Sequence, residues 1–108
     1  MSDQPHAALA MLQKQLQELD AVEKETVMES LNTMRGTEQI HKWKARTVPL
    51  IAQHLGPASA QSFADTKPGP SFTNDLFEEF SDEVEVYRSA IRKLMKEVRS
   101  SGTKGGPA

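Results

Sequence analysis

The stretch FTNDLFEEFSDEVEVYRSAIRKLMKEVR, residues 72–99, decides the fold. Its apolar residues Phe77, Phe80, Val84, Tyr87, Ile91, Leu94 and Val98 recur at alternating steps of three and four. That spacing keeps one stripe of an α-helix facing a single surface. Thr73 or Asn74 is suited to cap the first free N–H groups, and with Thr73 as cap, Phe72 and Phe77 occupy staple positions. Acidic residues from Asp75 to Glu85 fill the first half, and Arg88, Arg92, Lys93, Lys96 and Arg99 fill the second. This order complements the helix dipole over the terminal turns. Gly102 stands where a left-handed terminating residue is expected. Seven stripe side chains, at about 1.5–3 kcal/mol each when fully buried, require a cover of other helices or of another chain.

Working outward, the 108 residues suffice for one domain with a modest core. Hydrophobic content of 37% and charged content of 26% suit a rather polar helical protein. A formal charge of −2 supplies no global attraction to nucleic acid or acidic membranes. The absence of cysteine excludes disulfides, thiolate catalysis and cysteine–zinc sites. No apolar run approaches the roughly 20 residues that span a bilayer, and no leader pattern opens the chain. The expected location is the cytoplasm, with no membrane partner.

Pro5 suits a first helical turn, and Leu9, Leu12, Leu16 and Leu19 form a leucine seam. Asp20 to Glu23 reads as a capping box starting a second helix, with Val27, Met28, Leu31 and Met34 on its buried side. The competing reading is one helix from Pro5 to about Arg35. Gly36 then ends the run and Thr37 caps the next helix. That helix extends from Glu38 toward Leu55, with Ile40, Trp43, Thr47, Leu50, Ile51 and Leu55 on one face. Pro49 inside it is expected to kink or divide it. Gly56 stops it, Pro57 opens a short helix containing Phe63, and 65–71 is a loop. The expected fold is all-α: a small bundle of four to five helices with a kinked central helix and a long C-terminal amphipathic helix. Residues 1–4 form a flexible start, 5–99 the bundle, and 100–108 a linker-like tail. Such a tail after an initial Met fits an N-terminal domain of something larger, or equally a frayed terminus.

His6, His41 and His54 lack metal-ligand spacing, and the acidic run beginning at Asp75 lacks an inward histidine. There is no phosphate loop or nucleophile elbow. No catalytic residue, metal or cofactor is therefore assigned. Two patterns bear on partners. Lys42, Trp43, Lys44 and Arg46 place an aromatic ring among cations, and Arg88, Arg92 and Lys96 add charge on the last helix. Together they form a candidate nucleic-acid or partner surface. Trp43, however, shares the apolar face of Ile40 and Ile51, so the core is its first expectation, with the cations as a solvated rim. Met11, Met28, Met34 and Met95 read as gap fillers spread over several helices.

The run Trp43, Arg46, Thr47, Leu50, Ile51, Leu55, Gly56, Ser59 and Phe63, with Tyr87, Ile91 and Leu94, resembles a small helical module. That module recurs in bacterial antiphage and other conflict-system proteins, ahead of TIR, nuclease or membrane-disrupting effectors. The resemblance covers about half the chain, and the interior Pro49 and the loop Pro68-Gly69-Pro70 depart from it. It implies a non-enzymatic sensor, scaffold or oligomerisation module. The charge order of the last helix independently favours antiparallel pairing in any self-association through it. A protein-interaction module is thus the first expectation and a nucleic-acid binder the second.

Overall fold

A computed structural model describes residues 4–70 and 72–104, with side-chain surroundings for 6–70 and 72–100. The chain is all-α. Helix α1 spans Gln4–Lys24 and opens into a wider π-helical turn over Glu25–Ser30; α2 spans Thr33–Leu55, α3 Pro57–Ala64 and α4 Leu76–Lys104. No strand occurs among the described residues. Of the expected flexible ends 1–4 and 100–108, residues 1–3 and 105–108 lie outside that range, whereas Gln4 opens α1 and residues 100–104 continue α4 past the expected stop at Gly102.

Three long helices make the bundle. Thr26 and Phe80 approach Gly36 at one end. Trp43 Nε1 donates to Gln15 O at 2.9 Å in the middle, and Arg88 reaches back to Asp20 and Glu23. These pairings make α1 antiparallel to both α2 and α4, while α2 and α4 run side by side in the same direction. Six of the seven stripe residues of α4 are covered: Phe80, Val84, Tyr87, Ile91, Leu94 and Val98 are buried, joined by Met95, whereas Phe77 in the first turn stays exposed. Leu12 and Leu19 of the leucine seam are fully buried, with Leu9 and Leu16 partly so.

The break between the first helices falls elsewhere than expected. Asp20 starts nothing, because α1 runs through it. The chain turns instead at Leu31 and Asn32. Leu31 takes a left-handed conformation (φ 52°), and the Asn32 side chain accepts from Arg35 N at 3.0 Å as the cap of α2. Gly36, expected as a terminator, lies inside α2 and is buried. A Cβ there would stand 2.6 Å from Thr26 Cγ2 and 2.9 Å from Phe80 Cε1, so glycine is required by close approach of three segments. The consequence reaches further. Met28, Leu31 and Met34, expected on a buried face, are all exposed.

α2 continues as one helix through Pro49. Ala45 and Pro49 both sit on the exposed face, so the carbonyl that loses its proline-side donor is open to water. Gly56, at φ 98°, closes α2 through its N–H to Ala52 O, and Pro57 starts α3 at once, as expected. At the start of α4 the cap is Asp75, whose carboxylate accepts from Phe77 N (2.9 Å) and Glu78 N (3.3 Å). That is two residues later than Thr73, whose hydroxyl accepts from Asp75 N instead. With the start shifted, the Phe72–Phe77 staple does not form, and Phe72 is 97% exposed.

Arg88 links α4 to α1. Its guanidinium donates to Asp20 and Glu23 across the interface and to Glu85 one turn away. Burial alone would lower the Arg88 pKa, but the three carboxylates outweigh it and hold the charge firmly. Reciprocally, the hydrogen bond from Arg88 keeps the Glu85 carboxyl below the ordinary 4.5. A depressed carboxylate stabilises the fold above its unfolded value, and that contribution disappears as pH falls through its folded value. Arg88→Met is expected to lower stability by about 1–3 kcal/mol at neutral pH. It should also flatten the loss of urea resistance between about pH 5 and about pH 3. Urea midpoints at the two pH values, for both proteins, check this.

Candidate functional site

The basic and aromatic residues singled out in the sequence are distributed by the fold to different tasks. Trp43 is fully buried. Its ring meets Phe63 edge-on at 5.8 Å and Tyr87 at 6.0 Å, and its N–H is used on Gln15 O. No face of that ring is open for a base to stack on. Beneath it, Thr47 Oγ1 donates to Trp43 O at 2.8 Å and lies 3.2 Å from Gln15 Oε1, so the buried polar groups form one satisfied set. Lys44 is no solvated rim residue. Its ammonium donates to Thr66 O at 2.7 Å and sits 5.0 Å from the Tyr87 ring centroid, pinning the loop after α3. Burial, with help from Lys67, lowers its pKa; burial first and Glu83 second raise that of Tyr87.

Lys42 and Arg46 are exposed, facing Glu38 and Glu18 at 3.8 Å each. Arg88 is committed to its three carboxylates, whereas Arg92 and Lys96 are exposed. The structure therefore brings Trp43 and Lys44 together only inside or against the core. His41 Nε2 lies 3.3 Å from Glu83 Oε2, a pairing of α2 with α4 that sequence distance concealed. Among the described residues no three His, Asp or Glu side chains gather as a metal site would need.

A different feature emerges at the end of the bundle where the π-helical turn, the start of α2 and the start of α4 meet. Among the described residues the exposed large hydrophobic ones are Met28, Leu31, Met34, Phe72, Leu76 and Phe77, which lie in or next to those segments along the chain. Met34 is 85% and Leu76 63% exposed, yet they line one open groove of about 320 Å³ floored by Phe80. Glu79 and Glu83 form part of its wall. Scattered exposed apolar side chains are ordinary, but two that line one groove over a buried aromatic ring mark a surface suited to being covered. The segment also carries local strain, since a left-handed leucine costs about 1–2 kcal/mol. π-helical turns, too, are found disproportionately at functional sites. Another groove, of about 250 Å³ and somewhat more enclosed, runs between α3 and α4, lined by Ala58, Ser59, Ser62 and Lys93 among others.

Sequence reasoning passed over this end because the capping box at Asp20 and the glycine at 36 both looked like boundaries. The signal that was available is Asn32 followed by Thr33, a good capping residue at the start of the next apolar periodicity. The class defined by this geometry is a small helical bundle with one uncovered apolar end. No protein-family model, curated protein or solved structure matches the chain. No helix among the described residues is long and apolar enough to cross a membrane.

Proposed function

We propose that this chain is a non-enzymatic protein-interaction module that receives an apolar segment of a partner protein in the groove between the starts of α2 and α4. The observation carrying this reading is that Met34 and Leu76, both largely exposed, line one groove with the buried Phe80. The resemblance to helical modules of antiphage systems supports the same class. Its shared residues Trp43, Thr47, Ile51 and Phe63 are core positions here, so it speaks for the scaffold and leaves the docking residues to this chain.

A photo-crosslinking amino acid at Met34, with the same probe at Gln53 as control, tests the proposal in cells producing the full chain. A discrete adduct from position 34 that disappears with Leu76→Glu is expected. Equal adducts from both positions, or none, would overturn the reading. Leu31→Asn makes a separable prediction. Asn tolerates the left-handed conformation, so the melting temperature should hold or rise, while crosslinking at position 34 declines.

A nucleic-acid reading rests on exposed Arg92, Lys93 and Lys96, without the stacking ring that Trp43 would have supplied. With a formal charge of −2, weak heparin retention that vanishes at moderate salt is expected. Retention persisting at moderate salt would favour nucleic acid instead.

A further inference from the structure

Resting on that docking reading, we infer that the occupant of the α2/α4 groove is a basic amphipathic helix of another protein. Charge is the first argument. Residues 24–38 and 72–83, which build this end, contain eight carboxylates against two cations, Lys24 and Arg35. Glu78, Glu79 and Asp82 are exposed, and none has an ion-pair partner among the described residues. Glu83 in the groove wall pairs with His41 at 3.3 Å and also lies in the field of Lys44, so the free rim charge is that of Glu78, Glu79 and Asp82. An apolar groove with this rim favours an entering segment that has apolar anchors and lysine or arginine beside them. The same rim repels an anionic bilayer.

Shape is the second argument. The groove lies between two helices running side by side and offers no sheet edge, so the geometry suits a third helix with an i, i+3, i+4 stripe. From Leu76 to Glu83 is about 10 Å along the axis, room for two or three anchor side chains.

A second copy fits poorly by either route. An isologous contact through this end places the carboxylates of one copy against those of the other. A head-to-tail contact would use the basic half of α4, where Leu94, Met95 and Val98 are buried and supply no anchor.

The test is selection of a randomised peptide library displayed on phage against the immobilised full chain, with counter-selection on the Met34→Glu/Leu76→Glu variant. The winning peptide is then synthesised and titrated by fluorescence anisotropy. Expected winners carry apolar residues at helical spacing flanked by Lys or Arg. Their affinity should fall about 10-fold in Glu78→Gln/Glu79→Gln/Asp82→Asn, a variant whose circular dichroism melt shows that it folds. Winners that depend on Met34 and Leu76 but are neutral or acidic, or ignore the neutralised rim, would overturn this inference and leave the docking reading standing. If no peptide distinguishes the parent from the Met34/Leu76 variant, both fall. A doubling of mass in light scattering that Leu76→Glu abolishes would replace the foreign helix with a second copy and overturn the inference likewise.

Discussion

Trp43→Ala should lower the unfolding free energy by about 3–5 kcal/mol, enough to leave a chain of this size close to its unfolding threshold at room temperature. The size of the effect follows from where the ring lies. It is fully buried, it donates to Gln15 of α1, and it touches Phe63 of α3 and Tyr87 of α4. Truncation therefore opens a void that all four helices share, and three rigid helices do not collapse into it readily. Trp43→Phe separates the contributions. It keeps much of the packing, loses the N–H bond, and should cost about 1–2 kcal/mol. Because Trp43 is the chain's single tryptophan, these variants are best followed by circular dichroism in urea. A loss below about 1 kcal/mol for the alanine variant would contradict the central placement of the ring.

Gly36→Val should be nearly as damaging, at about 3 kcal/mol, and Gly36→Ala should lose about 1–2 kcal/mol. The direction is informative because helix propensity alone favours Ala over Gly by about 1 kcal/mol. The added methyl has nowhere to go. The nearest atoms belong to the β-branched Thr26 and the ring of Phe80, and neither is the far end of a flexible chain. Thr26→Ala clears Oγ1 and Cγ2 from the path. The double variant Gly36→Ala/Thr26→Ala should thus be more stable than the sum of its single changes by about 1 kcal/mol. Additive losses would show that the crowding is relieved by some other movement. Since this contact sits directly beneath the apolar end, Gly36→Ala should also weaken docking at Met34 and Leu76, read by the same crosslinking.

What was legible in the sequence and what was not divides along a physical line. The α4 stripe, the leucine seam, Trp43 as core, Gly56-Pro57 as a stop and start, and the loop after α3 rest on periodicity and on backbone chemistry within a few residues. The break at Leu31–Asn32, the continuity of α2 through Gly36 and Pro49, and the cap at Asp75 depend on competition between several adequate local signals. Asp20 heads a sound capping box, but Leu16, Leu19 and Val22 keep packing on α1's buried side, and Arg88 draws Asp20 and Glu23 together across the interface. Local capping, worth about 1 kcal/mol, gives way to that. The basic cluster was misleading for a related reason. Lys44 and Arg88 look like surface cations in one dimension, and only the folded bundle sets a carbonyl and a ring before the first and three carboxylates around the second.

By itself the amino-acid sequence determined that the protein is all-helical and that α4 hides one edge, because hydrophobic spacing and turn chemistry act over a few residues. Which apolar residues stay uncovered was decided by tertiary structure alone. Thr26, Gly36 and Phe80 are far apart in the chain, and their close approach sets where α1 ends and α2 begins. That junction leaves Met28, Leu31 and Met34 at the surface, with Met34 lining the proposed docking groove together with Leu76.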